Sequence, residues 1–176
     1  MMLIRPATFA DVPAILPMVA DLVAAHERHD PARFAALPDV LDRYARWLPQ
    51  RAADPDSVVL IAVDTANDTA LTTSAVVGFV VATIEENIPI YQLKRFGYLH
   101  DLYVLSGHRR RGVSQRLLEA AAAEFKARGI TQVRCETAAF NEPARAVLVA
   151  AGWRTSTIDM LMDLDGHDGV GTPYQT

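Results

Sequence analysis

Between Tyr98 and Ala138 the spacing of apolar residues changes period twice, and this succession restricts the fold more than any other stretch. Tyr98 to Leu105 reads as a long strand. A basic, glycine-containing turn follows, Ser106-Gly107-His108-Arg109-Arg110-Arg111-Gly112. Leu117, Leu118, Ala121, Ala122 and Phe125 then recur at helical spacing up to Arg128, and Gly129 is a natural stop. From Ile130 to Ala138 the chain alternates again, with Val133, Cys135 and Thr137 against Arg134 and Glu136. A strand, a helix and a strand in such close order imply a parallel crossover.

The first half has a different grammar. Met2 to Arg5 is a short apolar piece, and Thr8 with Asp11 resembles a capping box. Ile15, Val19, Leu22 and Val23 predict a helix to about His26, although Pro17 interrupts the pattern and Asp30-Pro31 ends it. Val40, Leu41, Tyr44, Trp47 and Leu48 share one face of a second helix, Asp39 to Ala52. Val58 to Asp64 and Val76 to Ile84 read as strands joined by a hairpin loop at Thr65 to Thr69, with Gly78 a bulge or close-approach point. Asn87 to Gly97 reads as a mobile loop. Asn141 to Ala151 predicts a short helix ended by Gly152, and Thr155 to Leu164 a last strand carrying Ile158, Met160, Met162 and Leu164. The predicted order is β, α, α, β, β, β, α, β, α, β. It describes an α/β (α+β) sheet, antiparallel early and parallel late, in a single domain over 1–165 with a flexible tail at 166–176.

Composition narrows the class further. Of 176 residues, 51% are apolar and 22% charged, which is ordinary for a globular chain. No uninterrupted apolar run approaches the roughly 20 residues of a membrane helix. Met1 to Pro6 contains no apolar signal-peptide core, so a cytoplasmic protein is expected. One cysteine, Cys135, excludes an internal disulfide and a cysteine zinc site, and it reads as a core thiol. A net charge of −4 gives no general attraction to nucleic acid.

The chemistry sits in the turn before the long helix. The first amides of a helix lack internal partners, and the helix dipole adds partial positive charge there. Gly112 lets backbone approach a ligand closely. Together with the arginines this makes a site for a phosphate or pyrophosphate. A solvated basic turn is the plain alternative. Nucleic-acid binding ranks below both, since no aromatics interleave. The Gly-Lys-Ser/Thr ending of a Walker A loop is absent, and so are two of the three glycines of a dinucleotide fingerprint.

These residues resemble the GNAT superfamily of acetyl-CoA-dependent N-acetyltransferases. Arg109-x-x-Gly112-x-Ser114 matches its Gln/Arg-x-x-Gly-x-Gly/Ala signature, with Ser in the last place. Asn141-Glu142-Pro143-Ala144 followed by Gly152-Trp153 matches its Asn-x-x-Ala, helix, Gly-Phe element, with Trp for Phe. Ile4-Arg5-Pro6-Ala7-Thr8, then Asp11, is similar to the family's usual start. The resemblance spans Ile4 to about Leu164.

The resemblance implies a mixed, mostly antiparallel central sheet flanked by helices, whose fourth and fifth strands splay into a cofactor cleft. Acetyl-CoA would be the cosubstrate, with no metal. Its pantetheine arm would bond to backbone of Leu102, Tyr103 and Val104. Its pyrophosphate would rest on the amides of Arg109, Arg110, Arg111, Gly112, Val113 and Ser114. Asn141 and Ala144 would border the arm, with Arg145 near the cofactor or solvent; Asn141 reads equally as a helix N-cap. Leu148 stands where many members carry a proton-donating Tyr, which leaves the general acid unassigned.

Transfer to an amine also needs a base, because amines are mostly protonated at neutral pH. His100 is the first candidate and Asp101 the second member of the catalytic pair. A regular strand would put them on opposite faces, His100 with Tyr98, Leu102 and Val104. A structural hydrogen bond is the competing role for His100. Glu85 and Glu86 are second-line bases, or simply a solvated strand end. His26 and His29 lie three apart, but a helical pair without a third ligand reads as surface. The loop Asn87 to Gly97, with Tyr91 and Phe96, would close over the acceptor, a small-molecule amine or peptide terminus. No nucleic-acid or membrane partner is expected. The Ile158-Met160-Met162 strand serves either the core or a homodimer interface. A non-catalytic acyl-CoA sensor or scaffold is the alternative function, supported by Leu148.

Overall fold

A computed structural model of the protein describes residues 1–65, 75–162 and 164. The hairpin loop expected at Thr65 to Thr69 lies outside them beyond Thr65, as does the tail from 165 onward.

Five strands run in spatial order β1 (Met2–Pro6), β2 (Ser57–Asp64), β3 (Ala75–Glu86), β4 (Arg95–Val104) and β5 (Val133–Cys135). The first three pairings are antiparallel and the last is parallel. The helices are α1 (Val12–His29), α2 (Pro31–Phe34), α3 (Val40–Ala53), α4 (Val113–Ala127) and α5 (Glu142–Ala150). The fold is therefore the mixed α/β sheet that the sequence implied.

The apolar run of β2 is continuous because both its faces are covered. Val58, Leu60 and Ala62 join Val80, Ala82 and Leu99 under Leu117, Leu118, Ala121 and Phe125 of α4 and Leu148 of α5. Val59, Ile61 and Val63 join Phe79 and Val81 under Ile15, Met18 and Val19 of α1 and Leu48 of α3. The stretch Phe9–His29 is, by length and composition, apolar enough to cross a membrane, although Asp11 and Asp21 interrupt its apolar run. Its stripe Val12, Ile15, Met18 and Val19 is buried in the second of these layers.

Two glycine-related features set the sheet's geometry. The β2–β3 register shifts between Ala62 and Val63, leaving Val77 as an extra residue next to Gly78. A Cβ on Gly78 would lie 2.8 Å from the Tyr103 carbonyl oxygen, so both readings of that glycine hold. A Cβ on Gly97 would meet the Phe125 ring at 2.9 Å, so the ring packs directly on β4 backbone.

Several expectations change. The helix α1 runs through Pro17. Only Val133–Cys135 of the stretch Ile130 to Ala138 pairs as a strand. Phe96 and Gly97 belong to β4, which shortens the loop after β3. That loop is stapled, not open. Asn87 receives no strand partner but donates from its backbone to Lys94 O (2.7 Å) and from its side chain to Leu93 O (3.0 Å). Lys94 Nζ donates to the carbonyls of Pro89 and Tyr91. The described residues from Thr155 onward form no strand, and Ile158, Met160, Met162 and Leu164 are all at least 80% exposed. Alternation signals a strand only where a neighbour supplies the ladder, and three-residue β5 supplies none to this segment.

The start of the chain is pinned by charge. Arg5 donates to both Asp11 carboxylate oxygens at 2.8 Å, and the Thr8 amide and hydroxyl donate to the same carboxylate at 2.7 Å. Asp11 is buried, and these bonds hold its carboxyl well below the usual range. The pair therefore stabilises the fold above the unfolded carboxyl's pKa, near 4, and loses that contribution as pH falls below it. Asp11→Asn is expected to cost about 1–3 kcal/mol in urea unfolding at pH 7, shrinking towards pH 3.

Candidate functional site

The strand β4 is irregular where the chemistry-bearing residues lie. Val81 pairs with Asp101 and Ala82 with Leu99, so His100 is an extra residue facing no partner. A bulge of this kind turns consecutive side chains to one side. Leu99 points into the layer beneath α4. Asp101 accepts a hydrogen bond from Tyr44 Oη at 3.0 Å, and the His100 ring stands edge-on to Trp47, 6.4 Å between centroids. Tyr44 and Trp47 both belong to α3. His100 and Asp101 therefore share the α3 face, against the expectation from regular alternation, and Leu102 and Val104 lie on the other.

The environment of each group sets its charge. The His100 side chain is one-third exposed (33%). Burial pushes its pKa below that of a free imidazole, outweighing the nearby Asp101 and Glu85 carboxylates that favour the cation. Burial raises the Asp101 carboxyl, opposed by the Tyr44 hydrogen bond and by His100 and His26. The Tyr44 phenol is pushed up by the same burial and by Asp101, so it stays protonated and donates. Thr83, buried on β3, places its Oγ1 2.7 Å from His100 Nε2 and 2.5 Å from Glu85 Oε1. The Tyr98 ring, 5.0 Å from that of His100, has its phenol pushed up to about 12 by burial.

The other histidines of the face are engaged as rings. His26 stacks on Phe34 at 4.9 Å and His29 on Phe140 at 4.2 Å. Among the described residues no group of three His, Cys, Asp or Glu side chains is arranged to hold a metal ion. Cys135 is half-buried, and burial raises its thiol.

A gap opens beside the bulge. The pairing of β4 with β5 covers only Gly97–Leu99 against Val133–Cys135, after which β4 continues to Val104 paired with β3 alone. Leu105 N donates to Val77 O. By the alternation of an antiparallel ladder, Leu102 and Val104 then turn their N–H and C=O away from β3 into the gap, while Tyr103 turns its own to β3. The Val104 carbonyl does face away, since it accepts from Arg109 Nε at 2.9 Å.

The turn below the gap leaves backbone donors open to a ligand. Arg110 (φ 59°) and Gly112 (φ 74°) are left-handed, a costly conformation for arginine and a free one for glycine. The first helical bond of α4 runs from Arg116 N to Gly112 O. Among the described residues, the amides of Arg111 to Gln115 have no backbone acceptor. A Cβ on Gly112 would meet nothing within 4 Å, so the space above it is open. Arg109, Arg110 and Arg111 are exposed around it. Free amides, open space and positive charge suit a pyrophosphate. After β5, Asn141 caps α5, its Oδ1 accepting from Ala144 N at 3.2 Å, and Arg145 donates to Ala139 O at 2.6 Å. Leu148 is buried in the core, so its position offers no proton donor.

Residues 22–153 match the acetyltransferase (GNAT) family. The chain belongs to that family. Similar solved structures include a mutant of the BH1408 protein from Bacillus halodurans, with a TM-score of 0.80 at 21% identity, covering 92% of this chain and 99% of that one. An aminoglycoside 6'-N-acetyltransferase, AAC(6')-Ih from Acinetobacter baumannii, superposes with a TM-score of 0.70 at 18% identity over 93% and 97% of the two chains. A predicted acetyltransferase from Clostridium acetobutylicum, solved with acetyl-CoA, gives a TM-score of 0.70 at 19% identity over 96% and 99% of the two chains. No curated protein matches the chain. At these identities the solved structures establish a shared GNAT fold.

Sequence reasoning reached the turn and His100 but not Tyr44 or Thr83. Tyr44 lies in an apolar helical stripe, and its only signal was that a buried phenol needs a partner. Thr83 is one β-branched residue in a long strand. Tyr44→Phe is expected to leave the Asp101 carboxylate short of a buried donor, lowering stability by about 1–3 kcal/mol in chemical denaturation at pH 7.

Proposed function

We propose that this GNAT protein is an N-acetyltransferase that moves an acetyl group from acetyl-CoA to a primary amine by direct attack in a ternary complex. The observation that carries the reading is the pairing of two features across β4. On one edge lies the gap after Leu99, ending at the free amides of Arg111 to Gln115. On the α3 face lies His100, set there by the bulge beside Trp47 and Asp101, with burial pushing its pKa below the free-imidazole value.

The cosubstrate's pyrophosphate rests on those amides, with Gly112 giving the space and the arginines the charge. Its pantetheine arm runs along Leu102 to Val104, flanked by Asn141, Ala144 and Arg145. The Val104 N–H, turned into the gap, polarises the thioester carbonyl. The acceptor nitrogen attacks that carbon, the C–S bond breaks, and the CoA thiolate leaves. His100 takes the proton the nitrogen sheds, and the Asp101 carboxylate stabilises the imidazolium through charge. Leu148 supplies no acid, so the thiolate takes its proton from water.

Aromatic rings of Tyr44, Trp47 and Tyr98 beside the carboxylates of Asp101 and Glu85 favour a cationic acceptor, a small amine of the kind the aminoglycoside acetyltransferases modify. Acetyl-CoA at a hundred times its Kd is expected to stabilise the protein by about 2.7 kcal/mol. In Gly112→Val the shift disappears, because a branched side chain is strained at φ 74° and fills the open space. Free-thiol release in an amine screen is expected to drop roughly 10²–10⁴-fold in His100→Gln, with acetyl-CoA binding intact. The wild-type rate falls as pH drops through a His100 pKa lying below the free-imidazole value. A thermal shift without thiol release from any amine would favour the sensor reading instead.

A further inference from the structure

A neutral imidazole carries one proton on two nitrogens, and a base must present the bare one. On β4 the His100 Nε2 lies 2.7 Å from Thr83 Oγ1, and no other hydrogen bond of the ring exists among the described residues. The same hydroxyl lies 2.5 Å from Glu85 Oε1. A hydroxyl has a single proton, and a carboxylate only accepts. The Thr83 proton therefore goes to Glu85, and the Thr83 lone pair receives a proton from Nε2. Thr83 is buried and β-branched, so its χ1 is restricted and the hydroxyl direction is fixed by the strand. The neighbouring strand β3 thus lends β4 an ordered chain of Glu85, Thr83 and His100, at the position where the bulge releases His100 from alternation.

We infer that Thr83 is a positioning residue: held between Glu85 and His100, its hydroxyl fixes the ring as the Nε2–H tautomer and leaves Nδ1 as the atom that takes the acceptor's proton. This rests on His100 being the base of the reaction proposed above. When Nδ1 gains that proton, Nε2 keeps its own and the bond to Thr83 persists. The positive ring then has Glu85 Oε1 4.0 Å from Nε2. The other charged groups facing the ring are Asp101 on β4 and Arg51 on α3, the first favouring the cation and the second opposing it. Glu85 thus acts through Thr83 as an orienting acceptor and directly as a charge.

The test uses the full chain with nitrogen-15-labelled histidine, without substrate, above the pH at which the ring is neutral. Wild-type His100 is expected to show a protonated Nε2 and a lone-pair Nδ1. Thr83→Ser retains that signature, while Thr83→Val gives a mixture of tautomers. In turnover, Thr83→Val is expected to lower kcat by roughly tenfold to a hundredfold with the KM for acetyl-CoA unchanged, and Thr83→Ser to restore it. Glu85→Gln is expected to move the acid limb of the rate profile to lower pH by about half a unit, since a carboxylate no longer stabilises the cation. A wild-type ring protonated on Nδ1 would overturn the inference whatever the activity, and that result does not depend on Thr83→Val folding. Full turnover in His100→Gln would instead overturn the base assignment, leaving the measured tautomer as it is.

Discussion

At Leu99 the fourth strand gives up two regularities within two residues. Its ladder with β5 ends there, and its ladder with β3 skips His100 immediately afterwards. The first loss opens an edge along Leu102 to Val104, whose backbone groups then have no strand partner on that side. The second rotates His100 and Asp101 onto the same face. The proposed reaction uses both, the thioester carbon reaching the strand from the gap and the base reaching it from the α3 face. The remainder of the fold keeps this short stretch in place. Phe125 packs directly on Gly97 just before the break, and the close approach of Gly78 to Tyr103 locks β3 to β4 just after it.

Electrostatics follow from that geometry. The proposed anion end of the cleft is made of backbone: a left-handed Gly112 and the amides that begin α4, which have no backbone acceptor among the described residues, with arginines at the rim. The α3 face is made of side chains whose ionisation burial shifts: the His100 pKa is pushed below that of a free imidazole, and Asp101 accepts from a phenol whose own pKa is pushed up. In the proposed reaction a cationic acceptor would meet carboxylates and aromatic faces on one side of the sheet, and the anionic cosubstrate would meet amides and guanidinium groups at the end of the strand, so that the two would be separated by sign of charge as well as by position.

How much of this was legible in the sequence depended on whether a feature is local. The turn from Ser106 to Gly112 and the helix after it were readable, since free helix amides, a glycine and basic residues are contiguous in the chain. The capping residues Thr8 and Asp11 were readable for the same reason, though not that Arg5 would complete them. The two-faced burial of β2 was visible as an uninterrupted apolar run. A bulge has no such signature: whether His100 is skipped depends on the register against β3, where the paired residues Val81 and Ala82 lie across a loop from Asp101 and Leu99. The apolar alternation of Ile158, Met160 and Met162 misled for a related reason, since period two records a face and not the presence of a neighbour to pair with.

The central claim is that the opened edge of β4 and the first turn of α4 form one continuous binding surface for acetyl-CoA. Backbone amide NMR of the full chain titrated with acetyl-CoA tests it most directly. The amides of Leu102, Val104 and Arg111 to Gln115 are expected to shift together, saturate at one concentration and gain protection from exchange, while the Tyr103 amide, turned to β3, changes little. No change at those amides under saturating acetyl-CoA, or a response confined to another face of the sheet, would contradict it.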